Sequence, residues 1–152
     1  MSARRIVIGS DHAAVALKAE IVKELTAAGH SVEDVGTFTT DSVDYPDIAA
    51  QVAAAVTTGT GAAGILLCGT GIGVAIAANK CHGIRAAVCH DTTTARLSRQ
   101  HNDANVLCLG GRIIGSAVAL DIVNCWLATS FDGGRHERRI LKISAIEKKE
   151  HR

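Results

Sequence analysis

The feature that most constrains this chain is a regular alternation. Short β-branched runs are followed by Ala-rich stretches of helical length, with Gly or Asp at the junctions. The pattern predicts strands at Arg5–Gly9, Ser31–Val35, Gly64–Cys68, Ile84–Cys89 and Val106–Leu109. It predicts helices over Ala13–Ala28 (stopped by Gly29), Asp47–Thr58, about Gly73–Asn79, Thr92–Arg99 and Ser116–Ala128. A loop runs through 41–46, and Pro46 suits the first turn of the helix after it, where a missing N–H costs nothing. Strands separated by helices of this length imply βαβ units and a parallel sheet covered on both faces. The expected fold class is therefore α/β: a three-layer α/β/α, Rossmann-like domain with a five-stranded parallel sheet and a C-terminal helix. No internal repeat, low-complexity segment or linker interrupts it, so residues 1–152 read as one domain.

Composition narrows the alternatives. Apolar residues make up 47% of the chain and charged residues 20%, with 16 basic against 15 acidic. That balance is too apolar and too neutral for a disordered chain. The only aromatics are Phe38, Tyr45, Trp126 and Phe131, so Ala, Val, Ile, Leu and Gly must build the core. Small residues let helices sit close on a sheet. From Ile48 to Asn79 there are 32 residues without a formal charge. A membrane span is excluded there by six glycines, by the polar cluster Thr57-Thr58-Gly59-Thr60-Gly61, and by the lack of any continuously apolar window of ~20 residues. The apolar part of the N-terminus is too short for a secretory signal, so a cytoplasmic location is expected. Five cysteines with no C-x-x-C pair fit neither a disulfide framework nor a zinc site. Most of them read as small hydrophobes in a reducing compartment.

The last segment differs in charge. Arg135–Arg152 holds seven basic and three acidic residues, and Ile140, Ile143 and Ile146, with Leu141 beside them, form a stripe at helical spacing. An amphipathic helix over about 135–150 is expected, docked on the domain or on a second subunit. The stripe and the absence of nearby aromatics argue against a nucleic-acid arm.

In an open parallel sheet, ligands bind at the carboxyl ends of the strands. Four such ends carry polar or reactive groups: Ser10-Asp11-His12, Cys68 with Gly69-Thr70-Gly71-Ile72-Gly73, His90-Asp91, and Gly110-Gly111-Arg112. Glycines at 69, 71 and 73 let several N–H groups point into one concavity at a helix start, a geometry that favours anions. The same field favours thiolate, which makes Cys68 a candidate general base or nucleophile. A buried strand-end cysteine beside a tight turn fits the spacing equally well. The glycine pattern is G-x-G-x-G after the third strand, without a following Gly-Lys-Ser/Thr, so it matches neither a dinucleotide fingerprint nor a P-loop. Arg135 and Arg139, one helical turn apart, either clamp a phosphate or form a solvated basic face. His101-Asn102-Asp103-Ala104-Asn105 is either a helix cap and turn or the setting of an acid/base histidine.

The chain resembles the family of ribose-5-phosphate isomerases of the B type, with the allose- and galactose-phosphate isomerases. Seven blocks carry the resemblance in the family's order: Gly9–His12, Ser42–Asp47, Leu67–Gly73, Ala77–Lys80, His101–Asn105, Gly110–Arg112 and Gly133–Arg139. It implies interconversion of D-ribose 5-phosphate and D-ribulose 5-phosphate through a cis-enediolate, with no metal and no organic cofactor. Cys68 is then the base. The N–H groups of Gly69, Gly71, Ile72 and Gly73 form the oxyanion site, and Thr70 helps move protons between the substrate oxygens. His101 opens the furanose ring, with Asp11 as helper. His12, Arg112, Arg135 and Arg139 hold the phosphate, and Asp44, Tyr45 and Asn102 line the sugar. Members that lack the Cys carry a Glu six positions later; here that position is Val74, which selects the Cys branch. The resemblance further implies a homo-oligomer, dimer or tetramer, whose site is shared between subunits, with His101, Asn102 and Arg112 supplied by the neighbouring chain. The other cysteines and His30 are left as structural, and His82, His90 and Asp91 are left unassigned. A hexose-6-phosphate substrate and, more remotely, a nucleotide-sensing module are the alternatives.

Overall fold

A computed structural model describes residues 2–59 and 62–150. Thr60 and Gly61 of the polar cluster lie outside the described residues. The elements follow in the order β1 (Arg5–Ser10), α1 (Val15–Ala27), β2 (Ser31–Asp34), α2 (Tyr45–Thr58), β3 (Ala63–Cys68), α3 (Ile72–Ala78), β4 (Ala86–Val88), α4 (Thr92–Asn102), β5 (Val106–Gly110), α5 (Ser116–Ala128) and α6 (Arg135–Glu150). The five strands form one sheet in the order β2-β1-β3-β5-β4, every pair parallel. The α/β reading, the parallel sheet and the C-terminal helix are all observed.

Strand alternation sorts the core into two layers. Ile6, Ile8, Ile65, Leu67, Leu107 and Leu109 face α1 and α5, where they meet Ile21, Leu25, Ile122 and Trp126. Val7, Leu66, Val106 and Cys108 face α2 and α3, meeting Ile48, Val52, Val56 and Val74. β3, the middle strand, is buried at all six positions. Most of the uncharged run is therefore α2, β3 and α3, with a tight loop between the last two. No helix among the described residues is long and apolar enough to cross a membrane.

Most element ends differ from the sequence reading by one or two residues, and three of the differences have a clear local reason. The first helix opens with one 3-10 turn, His12–Ala14, because the Asp11 carboxylate accepts from the Ala13 N–H at 3.0 Å. β4 shrinks to three residues because Ile84 turns back onto Cys81 and Arg85 is bound to the end of α4. α4 runs past Arg99 to Asn102, closed by Asp103 in the left-handed region (φ 43°). Arg99 and Asp103 pair at i, i+4 (2.9 Å), and Arg85 reaches the same carboxylate at 3.2 Å. His101 and Asn102 are thus helical residues, not turn residues.

All five cysteines are free thiols. Burial pushes the Cys89 and Cys108 thiols up, as expected of structural cysteines. His30 is buried and accepts from the Arg4 N–H at 3.1 Å. Asp91 caps α4 by accepting from the Thr94 N–H at 2.7 Å, and that bond holds its carboxyl below the usual range.

One ion pair absent from the sequence reading anchors the segment after β2. Lys18, 1% exposed, bonds Asp34 at 2.6 Å and lies 4.4 Å from the Phe38 ring centre. Asp34 also accepts from the Gly36 N–H, and Gly36 and Thr37 exchange backbone hydrogen bonds with Ser10. Asp34→Ala would strand a buried ammonium. The expected loss is about 3 kcal/mol, read as a lower urea midpoint, and Lys18→Met on the same background should recover much of it.

Candidate active site

The register of the three central strands assembles one cluster. Cys68 pairs with Gly110, and Ser10 pairs with Leu67, so β1, β3 and β5 end at nearly the same level. The chain leaves β1 into Asp11 and His12, β3 into the 69–73 loop, and β5 into Gly111 and Arg112.

Cys68 is 4% exposed, and its Sγ accepts from the Gly71 N–H at 3.2 Å. Gly71 has φ 77°, and a Cβ there would lie 2.9 Å from the Leu109 carbonyl carbon, so only glycine fits this turn. The Thr70 hydroxyl accepts from the Ile72 N–H at 3.2 Å. The N–H groups of Thr70 and Gly73 have no partner among the described residues. A sulfur facing an N–H, with further open N–H groups beside it, can hold negative charge on itself and on a bound oxygen.

The neighbouring segments brace this loop. Gly111 N–H donates to the Cys68 carbonyl at 2.9 Å and Arg112 N–H to the Gly69 carbonyl at 3.0 Å. The Arg112 guanidinium lies 3.3 Å from where a Gly69 Cβ would stand. Asp11 is 7% exposed and its N–H donates to the Leu67 carbonyl at 3.1 Å. His12 Nδ1 accepts from the Val43 N–H at 3.2 Å, which leaves the ring proton on Nε2 as a donor. Asp44 stands at the N-cap position of α2 without a side-chain capping bond, and the Tyr45 ring stands on Gly73, 2.7 Å from a hypothetical Cβ.

The remaining expected residues stand elsewhere. α4 starts at the carboxyl edge of the sheet and carries the chain back about 15 Å to the opposite edge. His101 and Asn102 lie at that far end. The His101 ring stacks on His136 of α6, with centroids 4.3 Å apart and planes 9° apart. Arg135 and Arg139 flank His136 and are exposed. Within one chain, then, Cys68, Thr70, Asp11, His12, Asp44, Tyr45 and Arg112 share one edge, while His101, Asn102, Arg135 and Arg139 share the other. Arg112, expected from a neighbouring chain, stands beside its own chain's Cys68 loop because β5 ends next to β3.

Sequence reasoning missed Asp132 and His136, which join His101 in one group. The only available signal was that His136 follows Arg135 directly, and nothing there announces a contact with residue 101. Burial, first of all, and then His101 and the two arginines push the His136 imidazole down.

A model of the ribose/galactose isomerase family matches residues 6–143. Ribose-5-phosphate isomerase B of Escherichia coli is 49% identical over 96% of this chain and 98% of its own. The structure of Clostridium thermocellum ribose-5-phosphate isomerase B superposes with a TM-score of 0.94 at 54% identity, covering 95% of this chain and 98% of that one. The Mycoplasma genitalium enzyme, solved with bound ribulose 5-phosphate, gives a TM-score of 0.92 at 42% identity, covering 97% and 99%.

Two outcomes check the site. Gly73→Ala should displace the Tyr45 ring and lower kcat/KM by about tenfold, with the urea midpoint little changed. His136 should titrate below the ordinary 6.5 in an NMR pH series. As pH falls through 6.5 the unfolded chain takes up that proton before the folded one does. Exchange protection in α6 should therefore fall with acidification.

Proposed function

The chain belongs to the ribose/galactose isomerase family, and on that premise we propose that Cys68 is the base of an aldose–ketose isomerase acting on D-ribose 5-phosphate and D-ribulose 5-phosphate. The observation that carries this reading is the Gly71 N–H donating to Cys68 Sγ at 3.2 Å, beside open N–H groups of the same loop. The relatives named above act on, or are solved with, these pentose phosphates.

The chemistry follows from the groups available. His101 opens the furanose by taking the proton of the anomeric hydroxyl while the ring oxygen gains one, and Asp11 assists. The Cys68 thiolate then removes the C2 proton, and the electron pair moves into a C1–C2 double bond as charge develops on O1. Backbone N–H groups of the 69–73 loop, the open Gly73 N–H among them, stabilise that enediolate. Thr70 relays a proton from O2 to O1, and the Cys68 thiol returns its proton to C1, which completes the ketose. His12 Nε2–H, Arg112, Arg135 and Arg139 bind the phosphate, and Asp44, Tyr45 and Asn102 contact the sugar.

This assignment requires two copies of the chain. A strand of five residues spans about 16 Å, far more than separates the reacting carbons of a pentose phosphate from its phosphorus. The base at one sheet edge and the ring-opening histidine at the other therefore meet only across a subunit boundary. The proposed enzyme is a homo-oligomer whose site joins the Cys68 edge of one subunit to His101, Asn102, Arg135 and Arg139 of another. This supports a working form no smaller than a dimer.

Three experiments test the reading. Cys68→Ala should lower kcat for ribose 5-phosphate by about 10²–10⁴, the usual worth of a general base, and near wild-type turnover would sink it. Arg139→Ala should raise KM about tenfold and leave kcat largely intact, because the phosphate is bound alike in ground and transition states. Cys68→Ala and His101→Asn proteins, each inactive alone, should regain about a quarter of wild-type activity when unfolded, mixed and refolded, since each mixed dimer rebuilds one intact site. No recovery would mean that the site is not shared in this way.

A further inference from the structure

We propose that His101, Asp132 and His136 form a binding site for a divalent transition-metal ion of the zinc class, and that an ion held there withdraws His101 from the sugar and stops turnover. The inhibitory half rests on the role given to His101 above; the binding half rests on geometry alone. Each residue offers one ligand atom, and these atoms lie within 4.8 Å of one another. Two imidazoles and a carboxylate are a common ligand set for zinc, with a fourth position open to water. Ligands at 2.0–2.2 Å in a tetrahedron stand roughly 3.4 Å apart, so no pair has to close by more than about 1.4 Å.

The surroundings permit that closure. Among the described residues, none of the three side chains makes a hydrogen bond that would have to break; only the ring stack between His101 and His136 must open. His136 is 9% exposed and fixed on α6, whereas His101 is half-buried and Asp132 exposed, free to turn about their own side-chain bonds. The Asp132 N–H donates to the Gln100 carbonyl at 3.1 Å, which keeps the carboxylate beside the last turn of α4. Arg135 and Arg139 oppose a dication, so the site is a reversible one and not a structural clasp. An ion there bridges α4 and α6 and occupies the imidazole that ring opening needs.

The test uses the full-length protein after chelation, titrated calorimetrically with Zn²⁺. One ion per chain should bind, and turnover of ribose 5-phosphate should fall with the same midpoint. Asp132→Asn, a surface change outside the isomerisation chemistry, should keep basal turnover. It should weaken both Zn²⁺ binding and Zn²⁺ inhibition by about tenfold or more, since losing even an outer-shell partner costs that much. With Co²⁺ as the probe, the spectrum should show nitrogen and oxygen ligands and no sulfur charge-transfer band. The proposal is overturned if Asp132→Asn binds Zn²⁺ as the wild type does, or if Cys68→Ser abolishes binding and so puts the metal on the thiolate. Binding that responds to Asp132→Asn while turnover is untouched would overturn the inhibitory half. Chelated protein that binds Zn²⁺ as expected but turns over no sugar phosphate would overturn the isomerase reading alone.

Discussion

The parallel pairing of β3 between β1 and β5 is the constraint on which this structure depends. It aligns three strand ends, and the short loops leaving them then bond to one another instead of to solvent. The Cys68 carbonyl takes the Gly111 N–H, the Gly69 carbonyl takes the Arg112 N–H, and the Leu67 carbonyl takes the Asp11 N–H. A shift of one residue in either pairing would turn the Cys68 side chain to the other face of the sheet, toward α1 and α5. The geometry of the sulfur is thus a property of backbone register. No neighbouring charged side chain is needed to hold it.

The same parallel topology divides the polar residues. Every helix that follows a strand starts at the carboxyl edge and ends at the other, so a residue's edge is decided by whether it begins or ends its helix. Tyr45 and Ile72 begin theirs, while His101 and Asn102 end α4. Arg135 and Arg139 follow α5 and a short connection that the Asp132 N–H ties to Gln100, so they join the far edge.

Much of this could be read from the residues. The alternation of β-branched and Ala-rich runs carries the layer order and nearly every element, because period and junction chemistry are local properties. Cys68, the 69–73 glycines, Asp11, His12 and Arg112 stand at or just past the ends of strands that the pattern marks, and the structure groups them. Three things were not legible for physical reasons. The extension of α4 to Asn102 depends on Arg85, fourteen residues before α4's last expected residue, gripping Asp103. The Lys18–Asp34–Phe38 contact joins residues that share no periodicity. The stacking of His136 on His101 is a meeting of two helix ends, which no spacing in a single helix predicts.

The two outer strands carry a consequence of their own. β2 has four residues and β4 three, and the residue leading into β4, Arg85, is already bound to the end of α4. Arg5 and Glu33 form an exposed ion pair across β1 and β2 at 2.8 Å. Such short, charge-flanked margins offer an incoming strand few open N–H and C=O groups. The sheet is consequently a poor template for growth by strand addition. That protects a chain with so apolar a central strand from runaway β-aggregation.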